Sequence, residues 1–186
     1  MRIPFNRPFR APNENEYVLE ALQSGRLSGN NQFAKRVQQH MRDRHKLENV
    51  FLVPSGTSAL EMGAWLAGLG PGDEVILPSY TFSSTANAVV MTGAKPVFCE
   101  IDPITVNADV GHMESLITER TKMLLPIDYA GIPCAIDRIG ELARKHGLLV
   151  MVDAAQSYGT YHEGKACGSF GDLATFSFHE TKNISC

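Results

Sequence analysis

Several features that define other protein classes are missing from this sequence of 186 residues. No apolar run approaches the ~20 residues of a membrane-spanning helix, and the first residues lack the apolar stretch of a signal peptide. Charges of one sign form no long block, and the formal net charge is only -3. Neither nucleic acid nor a membrane is therefore an expected partner, and we expect a cytoplasmic protein with small-molecule ligands.

Cysteine is also scarce, and its spacing excludes two kinds of site. Cys99, Cys134, Cys167 and Cys186 include no Cys-x-x-Cys pair, so we expect reduced thiols and no metal site. The P-loop pattern with its phosphate-binding lysine is absent as well. What the chain does have is 44% hydrophobic residues, enough to bury a core.

Helical and extended patterns alternate along the chain, with short joints rich in glycine and proline. This order is typical of an α/β protein, and the nearly continuous apolar strands indicate a mostly parallel sheet with helices on both faces. Strands are predicted at 50–53, 74–77, 96–100, 122–126, 148–152 and 172–178. Helices are predicted at 14–24, 32–46, 83–92, 109–117 and 136–146, with another that begins near 55 and ends before 68.

Three polar groups follow predicted strands. Ser55-Gly56-Thr57 comes after the first strand, Asp153 after the strand at 148–152, and Lys182 after the last strand. Ligands of open parallel sheets bind outside the carboxyl ends of the strands, so these groups are expected to lie together. Taken singly, the Ser-Gly-Thr and the Asp could each be a helix cap, and most lysines are simply solvated.

Together the three groups match the needs of pyridoxal 5′-phosphate (PLP). Gly56 lets backbone approach an anion, and the amides of Thr57 and Ser58 at a helix N-terminus favour phosphate. A carboxylate at Asp153, next to small alanines, can keep a pyridine nitrogen protonated. Lys182, which follows a Phe-rich strand, can act as nucleophile and base toward the cofactor aldehyde.

Dispersed segments in a fixed order also carry a family resemblance. The sequence resembles the DegT/DnrJ/StrS family of PLP-dependent sugar aminotransferases, whose fold is the fold-type-I, aspartate-aminotransferase-like large domain. The resemblance covers essentially the whole chain. Its main segments are Pro54-Ser55-Gly56-Thr57-Ser58-Ala59-Leu60-Glu61, Pro78-Ser79-Tyr80-Thr81-Phe82, Tyr129-Ala130-Gly131, Val152-Asp153-Ala154-Ala155-Gln156 and Phe176-Ser177-Phe178-His179-Glu180-Thr181-Lys182-Asn183.

The resemblance implies roles for individual residues. Lys182 is the residue that binds the cofactor covalently and carries a proton, and Asp153 pairs with the ring nitrogen. Phe82 stacks on the ring, although core packing is the alternative for Phe82 and Tyr80 is a rival stacking residue. The remaining cofactor-binding residues implied are Gln156 near the phenolic oxygen and Gly56, Thr57, Ser58 and Ser177 around the phosphate.

The reaction that the resemblance implies is transfer of an amino group from L-glutamate to a 4-keto-6-deoxy nucleotide sugar. The Ser-Tyr-Thr-Phe and His-Glu-Thr-Lys-Asn segments are most similar to dTDP-4-amino-4,6-dideoxygalactose transaminases, which implies a homodimer and a role in cell-surface polysaccharide synthesis. Other PLP chemistry, such as sugar dehydration, is an alternative. The dehydrating group has His at the lysine position, so Lys182 argues against it.

Length sets a further expectation, because members of this family are about twice as long, a scale at which chains form a second domain. We expect an N-terminal arm and helix at 1–30 and an incomplete PLP-binding large domain at 31–186, without the C-terminal small domain. Such a fragment is expected to be inactive alone, either a remnant or half of a split enzyme. Asp128, where relatives usually have His, predicts altered charge or substrate fit near the site.

Overall fold

The computed structural model describes residues 3–4 and 6–185, in which six α-helices and seven β-strands form. The helices are α1 (Glu14–Gln23), α2 (Gln32–His45), α3 (Gly56–Leu66), α4 (Ser83–Met91), α5 (Val110–Ser115) and α6 (Ile136–His146). The strands are β1 (Glu74–Pro78), β2 (Lys95–Cys99), β3 (Thr121–Leu124), β4 (Leu149–Asp153), β5 (Tyr161–His162), β6 (Lys165–Ala166) and β7 (Leu173–Thr175).

Five of the strands form one parallel sheet. Their order is β2-β1-β3-β4-β7, and each neighbouring pair runs parallel. Parallel neighbours need crossover connections, which α4, α5 and α6 provide between β1 and β4. The predicted parallel α/β sheet is therefore confirmed, whereas the small β5-β6 hairpin was not predicted.

Apolar side chains are buried on both faces of this sheet. On one face, α3 and α4 contribute Leu60 and Val89 to a core that includes Met151 of β4. On the other face, α6 contributes Ile139 to a core that includes Val152. Successive residues of β4 thus point to opposite faces, as the pleat of a strand requires. The expected layers of helices on both faces are confirmed.

The predicted strand at 50–53 is wrong. These residues have no regular structure, and Phe51 is 64% exposed. Val50 is buried, but it packs in a small cluster with Met41 of α2 and Tyr158, away from the sheet. A short apolar run therefore serves to hold α2 against the domain, and periodicity alone does not distinguish this use from a strand.

The last strand is shorter than the predicted 172–178. Among the described residues it pairs with β4 alone, and β4 ends at Asp153, which pairs with Thr175. Beyond this point Phe176 and Phe178 pack edge-on against the ring of Tyr158, with centroid distances of 5.5 and 5.1 Å. The Phe-rich segment leaves the sheet and packs, partly buried, against the cluster beside α2.

The two N-terminal helices differ in how they are held. No residue of α1 is buried, whereas α2 buries Met41 and His45. The division of the chain after residue 30 stays a prediction.

Cys99, Cys134 and Cys167 are buried free thiols, while Cys186 lies outside the described residues. Within residues 3–4 and 6–185, no helix combines the length and apolar character needed to cross a membrane.

An ion-pair network stabilises the amino-terminal edge of the sheet. Glu74, the first residue of β1, is buried and accepts hydrogen bonds from Thr118 Oγ1 at 2.7 Å and Arg120 Nη2 at 3.0 Å. Lys95 Nζ is a third donor at 3.3 Å. The Thr118 hydroxyl, followed by the Arg120 guanidinium, lowers the pKa of Glu74 to about 2 from its usual 4.5.

Replacing Glu74 with glutamine is expected to destabilise the protein most at neutral pH. Because the pKa is lower in the folded state, the carboxylate stabilises the fold above pH 4.5, and this contribution disappears as the pH falls toward 2. Urea unfolding of wild type and Glu74→Gln between pH 7 and pH 2.5 should give two curves that converge in acid. Glu114→Gln, which breaks an exposed ion pair with Lys145, is the control and should lower the free energy of unfolding by less than Glu74→Gln does. A difference that stays constant with pH would contradict the prediction.

Candidate active site

The residues singled out by sequence meet at the carboxyl-terminal edge of the sheet. Asp153 is the last residue of β4, and Lys182 lies in the loop that follows β7. Ser177 in the same loop lies against Gly56, the first residue of α3. Although residues 50–53 are not a strand, the contact with Ser177 still brings the start of α3 to this edge.

The N-terminus of α3 is built to receive an anion. Ser55 is its N-cap, and the first helical backbone bond is donated by Ala59 to the Ser55 carbonyl at 3.0 Å. The amides of Gly56 and Thr57 precede this bond and therefore have no acceptor within the helix. The unpaired amides and the helix dipole together favour a phosphate at this position.

The Ser58 amide, which the sequence predicts as a phosphate ligand, has a hydrogen-bond acceptor within the chain. This amide donates to Ser55 Oγ at 3.0 Å and is used by the N-cap. The Ser58 hydroxyl lies 3.1 Å from the same Ser55 oxygen. The capping bond that starts the helix thus uses the Ser58 N–H, and the Ser58 hydroxyl is a second group that this residue can offer to a ligand. Its contact with phosphate stays a prediction.

Close contact between Gly56 and Ser177 completes this end of the site. A Cβ atom at Gly56 would lie 3.0 Å from Ser177 Cβ and 3.3 Å from Ser177 Oγ. Glycine therefore lets the loop after β7 reach the helix N-terminus, and it places the Ser177 hydroxyl beside the unpaired amides. A hydroxyl and two amides around one point form a suitable cradle for a phosphate group.

Asp153 is a buried carboxylate with neutral hydrogen-bond partners. The residue is 4% exposed. Its Oδ2 atom accepts a hydrogen bond from Thr85 Oγ1 at 2.9 Å. Oδ1 accepts from the Ala155 amide at 3.2 Å. Among the described residues, no basic side chain forms a salt bridge with Asp153. A buried carboxylate without a cation is suited to pair with a cationic ligand.

Burial is the main cause of the raised pKa of Asp153. The hydrogen bonds from Thr85 and Ala155 and the positive charge of Lys182 oppose this effect, while the negative charge of Asp128 adds to it. The ionised form of Asp153 is thus unfavourable in free energy when no ligand is bound. A protonated ring nitrogen beside Asp153 would offset that cost, because an opposite charge favours the carboxylate.

Gln156 has a defined orientation. Its Oε1 atom accepts from the backbone amide of Ala130 at 2.9 Å. Only the oxygen of the side-chain amide can accept this bond, so the Nε2 group is the donor that Gln156 can present to a ligand. This orientation fits the predicted contact with a phenolic oxygen, which remains a prediction.

Two aromatic side chains were weighed as the group that stacks on the cofactor ring. Phe82 is the N-cap residue of α4 and is 72% exposed, so core packing does not account for it in this structure. Tyr80 instead packs against Tyr129, with a ring-centroid distance of 4.8 Å and a hydrogen bond from the Tyr129 hydroxyl at 3.3 Å. Phe82 is therefore the more exposed of the two rings, since Tyr80 is 48% exposed, and its stacking role stays a prediction.

The loop that carries Lys182 is held at several points. The Lys182 amide donates to the His179 carbonyl at 2.8 Å, and the Asn183 side chain donates to the Tyr158 carbonyl at 2.6 Å. From the N-terminal segment, Asn6 Nδ2 donates to the Glu180 carbonyl at 2.7 Å. These bonds fix the backbone on both sides of a half-buried lysine.

Asp128 has a structural function as well as an electrostatic one. It is 3% exposed, and its two carboxylate oxygens accept from the Cys134 amide at 2.9 Å and from Ser157 Oγ at 2.8 Å. Its backbone amide donates to the Asp153 carbonyl at 3.1 Å. The altered local charge expected from this position has a structural basis, because Asp128 helps to raise the pKa of Asp153.

One group outside this edge could offer metal ligands. Donor atoms of Asp137, His162 and Glu163 lie within 4.8 Å of one another, and His162 Nε2 is 3.1 Å from Asp137 Oδ2. Asp137 and Glu163 are exposed, and exposed acidic groups commonly lie together without an ion. We assign no metal to this group.

Comparison with known proteins identifies the family. The model of the DegT/DnrJ/EryC1/StrS aminotransferase family matches residues 9–186, almost the whole chain. The chain belongs to this family. GDP-perosamine synthase from Caulobacter vibrioides is 41% identical over 184 residues, which are 99% of this chain and 50% of that protein. This aminotransferase-family chain thus spans about half the length of the curated relatives it matches.

Solved structures of aminotransferases share the fold. Spr1654 of Streptococcus pneumoniae, assigned as a sugar aminotransferase, matches in its PMP form with a TM-score of 0.95 and 29% identity. The match covers 100% of this chain and 50% of that one, and a PLP form of the same protein also matches. DesI, solved in the presence of its TDP-sugar product, matches with a TM-score of 0.88 and 34% identity, covering 97% of this chain and 45% of DesI. The PLP-transferase fold class and the PLP cofactor of the family agree with the sequence prediction.

The residues of this family member fit PLP. Gly56 leaves space at the phosphate cradle, Asp153 is a buried carboxylate without a cationic partner, and Lys182 provides an amine at the same edge. Sequence reasoning missed Thr85, which donates to Asp153. The available signal was weak, because Thr81 and Thr85 lie four residues apart across the start of the helix predicted at 83–92.

Replacing Gly56 with alanine is expected to weaken PLP binding about tenfold, the effect of losing one hydrogen bond to a charged group. The new methyl group would displace Ser177, whose Cβ lies 3.0 Å from the added atom. Titration of the cofactor-free protein with PLP, followed by absorbance, measures the change.

Gly70→Ala is the matched control for this substitution. A Cβ at Gly70 meets no heavy atom within 4 Å, so its PLP affinity should stay at the wild-type value. Equal affinities for Gly56→Ala and wild type would show that Ser177 does not contribute to the phosphate cradle.

Proposed function

We propose that this chain forms the PLP-binding part of an enzyme that transfers an amino group from L-glutamate to the keto group of a nucleotide-linked sugar. The observation that carries the proposal is the position of Asp153 and Lys182 at one edge of the sheet, beside the anion cradle of Gly56 and Ser177. Membership of the aminotransferase family supports the reaction type.

Each residue has a task that its surroundings allow. The bound cofactor supplies an electron-withdrawing ring. Lys182 Nζ holds the cofactor aldehyde and moves a proton at the substrate carbon, while Asp153 keeps the ring nitrogen protonated. Phe82 covers one face of the ring, and Gln156 Nε2 donates to the phenolic oxygen. Thr57, Ser58 and Ser177 hold the phosphate next to Gly56.

The sugar is proposed to be a 4-keto-6-deoxy sugar linked to GDP. A relative that is 41% identical is known as GDP-perosamine synthase, which supports the guanine nucleotide. A dTDP-linked sugar is the second candidate, as in the dTDP-4-amino-4,6-dideoxygalactose transaminases suggested by the sequence. The observation that supports this second candidate is the similarity to DesI, which was solved in the presence of its TDP-sugar product.

An isotope experiment separates the candidates. The complete protein is incubated with PLP, ¹⁵N-labelled L-glutamate and either the GDP-linked or the dTDP-linked keto sugar, and the products are analysed by mass spectrometry. We expect ¹⁵N in the GDP-linked sugar. Label only in the dTDP-linked sugar would reverse the substrate assignment. A product that has lost water without gaining label would indicate dehydration and overturn the proposed transamination.

We also propose a cytoplasmic homodimer. Exposed apolar side chains on α3 and α4, including Trp65 at 58% and Val90 at 55%, support an interface on that side of the sheet. Sedimentation analysis of the complete protein should give the mass of two chains. A mass of one chain at all concentrations would exclude the dimer.

A further inference from the structure

The segment that carries Phe82 also contains two threonines that reach toward Asp153. Thr85 in the first turn of α4 is fully buried, and its amide donates to the Phe82 carbonyl at 3.0 Å. Its hydroxyl donates to Asp153 Oδ2 at 2.9 Å. Thr81, which precedes Phe82, has its hydroxyl oxygen 2.8 Å from that of Thr85.

The directions of these bonds follow from the number of protons available. An ionised carboxylate only accepts hydrogen bonds, so the single hydroxyl proton of Thr85 is used on Asp153. Thr81 must then donate to Thr85. The result is a directed chain from Thr81 through Thr85 to Asp153, and bonds in such a chain strengthen one another.

We propose that Thr85 is a positioning residue that holds the Asp153 carboxylate for the cofactor ring nitrogen, and that Thr81 keeps the Thr85 hydroxyl directed at it. The inference rests on the proposed function. The two fixed bonds, from Thr85 to Oδ2 and from the Ala155 amide to Oδ1, define the plane of the carboxylate. Because Phe82 lies between the two threonines, one short segment positions both the ring face and the ring nitrogen.

Electrostatics agree with this geometry. Burial raises the pKa of Asp153, and the Thr85 hydroxyl is the strongest of the contacts that oppose this effect. The other groups that act on Asp153 are the Ala155 amide, the Lys182 ammonium and the Asp128 carboxylate. Removing the hydroxyl therefore leaves the carboxylate less able to stay ionised.

The test begins with the cofactor-free protein. The aspartate carboxyls are labelled with ¹³C and titrated by NMR in wild type, Thr85→Val and Thr85→Ser. The Asp153 signal is identified as the one that is lost in Asp153→Asn. Thr85→Val keeps the shape of the buried side chain and should move the Asp153 pKa upward. Thr85→Ser should restore the wild-type titration, and Thr81→Val should give a smaller shift in the same direction.

Cofactor affinity provides the second readout. We expect Thr85→Val to weaken PLP binding about tenfold, as for a lost hydrogen bond to a charged group, and Thr85→Ser to recover it. Thr92→Val is the matched control, because the Thr92 hydroxyl donates to the Val89 carbonyl at the other end of α4. It should change stability without changing the Asp153 titration.

Two outcomes would separate this inference from the proposed function. If Asp153 titrates identically in wild type and Thr85→Val, Thr85 does not hold the carboxylate and the inference is overturned. If wild type shows the expected titration and binds PLP but moves no ¹⁵N from glutamate, transamination is overturned while the assignment of Thr85 stands.

Discussion

A Lys182→Ala variant is expected to lose amino transfer by at least about 10³-fold in kcat, within the range attributed to a positioned acid–base group. Under the proposed function, the substitution removes both the amine that would hold the cofactor and the group that would move the substrate proton. Formation of ¹⁵N-labelled sugar under saturating PLP measures the loss. Borohydride treatment followed by peptide mass analysis should attach the cofactor to the peptide containing residue 182 in wild type only.

Lys145→Ala provides the control for Lys182→Ala. Lys145 is near the C-terminus of α6, which leads into the start of β4, so it lies at the opposite edge of the sheet from Lys182. Its side chain is 65% exposed and pairs with Glu114. Activity should remain at the wild-type value in this variant. Full activity in Lys182→Ala would refute the proposed function.

An Asp153→Asn variant is expected to lose activity on the order of 10²-fold, as when one preorganised electrostatic contact is removed. Asparagine keeps nearly the same shape, and its single oxygen can accept from Thr85 but not also from the Ala155 amide. It cannot balance a protonated ring nitrogen. Steady-state kinetics should show the loss mainly in kcat. The absorbance spectrum of the bound cofactor should change as well, since the protonation of its ring changes.

Stability of the cofactor-free protein separates this functional effect from misfolding. Burial raises the pKa of Asp153 above its usual 3.8, so the ionised side chain costs stability above that pH when no cation is present. The cofactor-free Asp153→Asn protein should therefore unfold at the same or a higher urea concentration than wild type at pH 7. Asp172→Asn, which alters an exposed aspartate that accepts from the Val150 amide, should leave kcat unchanged. A marked loss of stability in Asp153→Asn would contradict the functional explanation.

Local sequence patterns were sufficient for most of the fold. The helix predicted at 136–146 matches α6 exactly as Ile136–His146, because its apolar positions recur on one side and Gly147 ends it in the left-handed conformation. The strand at 50–53 failed because a short apolar run can equally pack beside a helix. Only the tertiary position of Tyr158, more than a hundred residues away, decides between these uses.

The candidate site was predictable where several residues together carry the chemistry. Lys182, Asp153 and Gly56 stand out as a set, because each follows a predicted strand and such positions lie at one edge of a parallel sheet. Thr85 did not stand out, since a neutral hydroxyl inside a helix is common and its partner Asp153 lies 68 residues further along the chain. The use of the Ser58 amide by the N-cap depends on hydrogen-bond geometry that sequence does not contain.

The bond between Asn6 and Glu180 has a consequence for the order of folding. It joins positions 174 residues apart, so it closes a loop almost as long as the described chain. Such contacts carry the largest loop-closure entropy and form late. During synthesis the segment around Asn6 emerges before the lysine loop, so its hydrogen-bond partner does not yet exist. Within residues 6–180, we therefore expect this contact between the N-terminal segment and the lysine loop to be among the last to form.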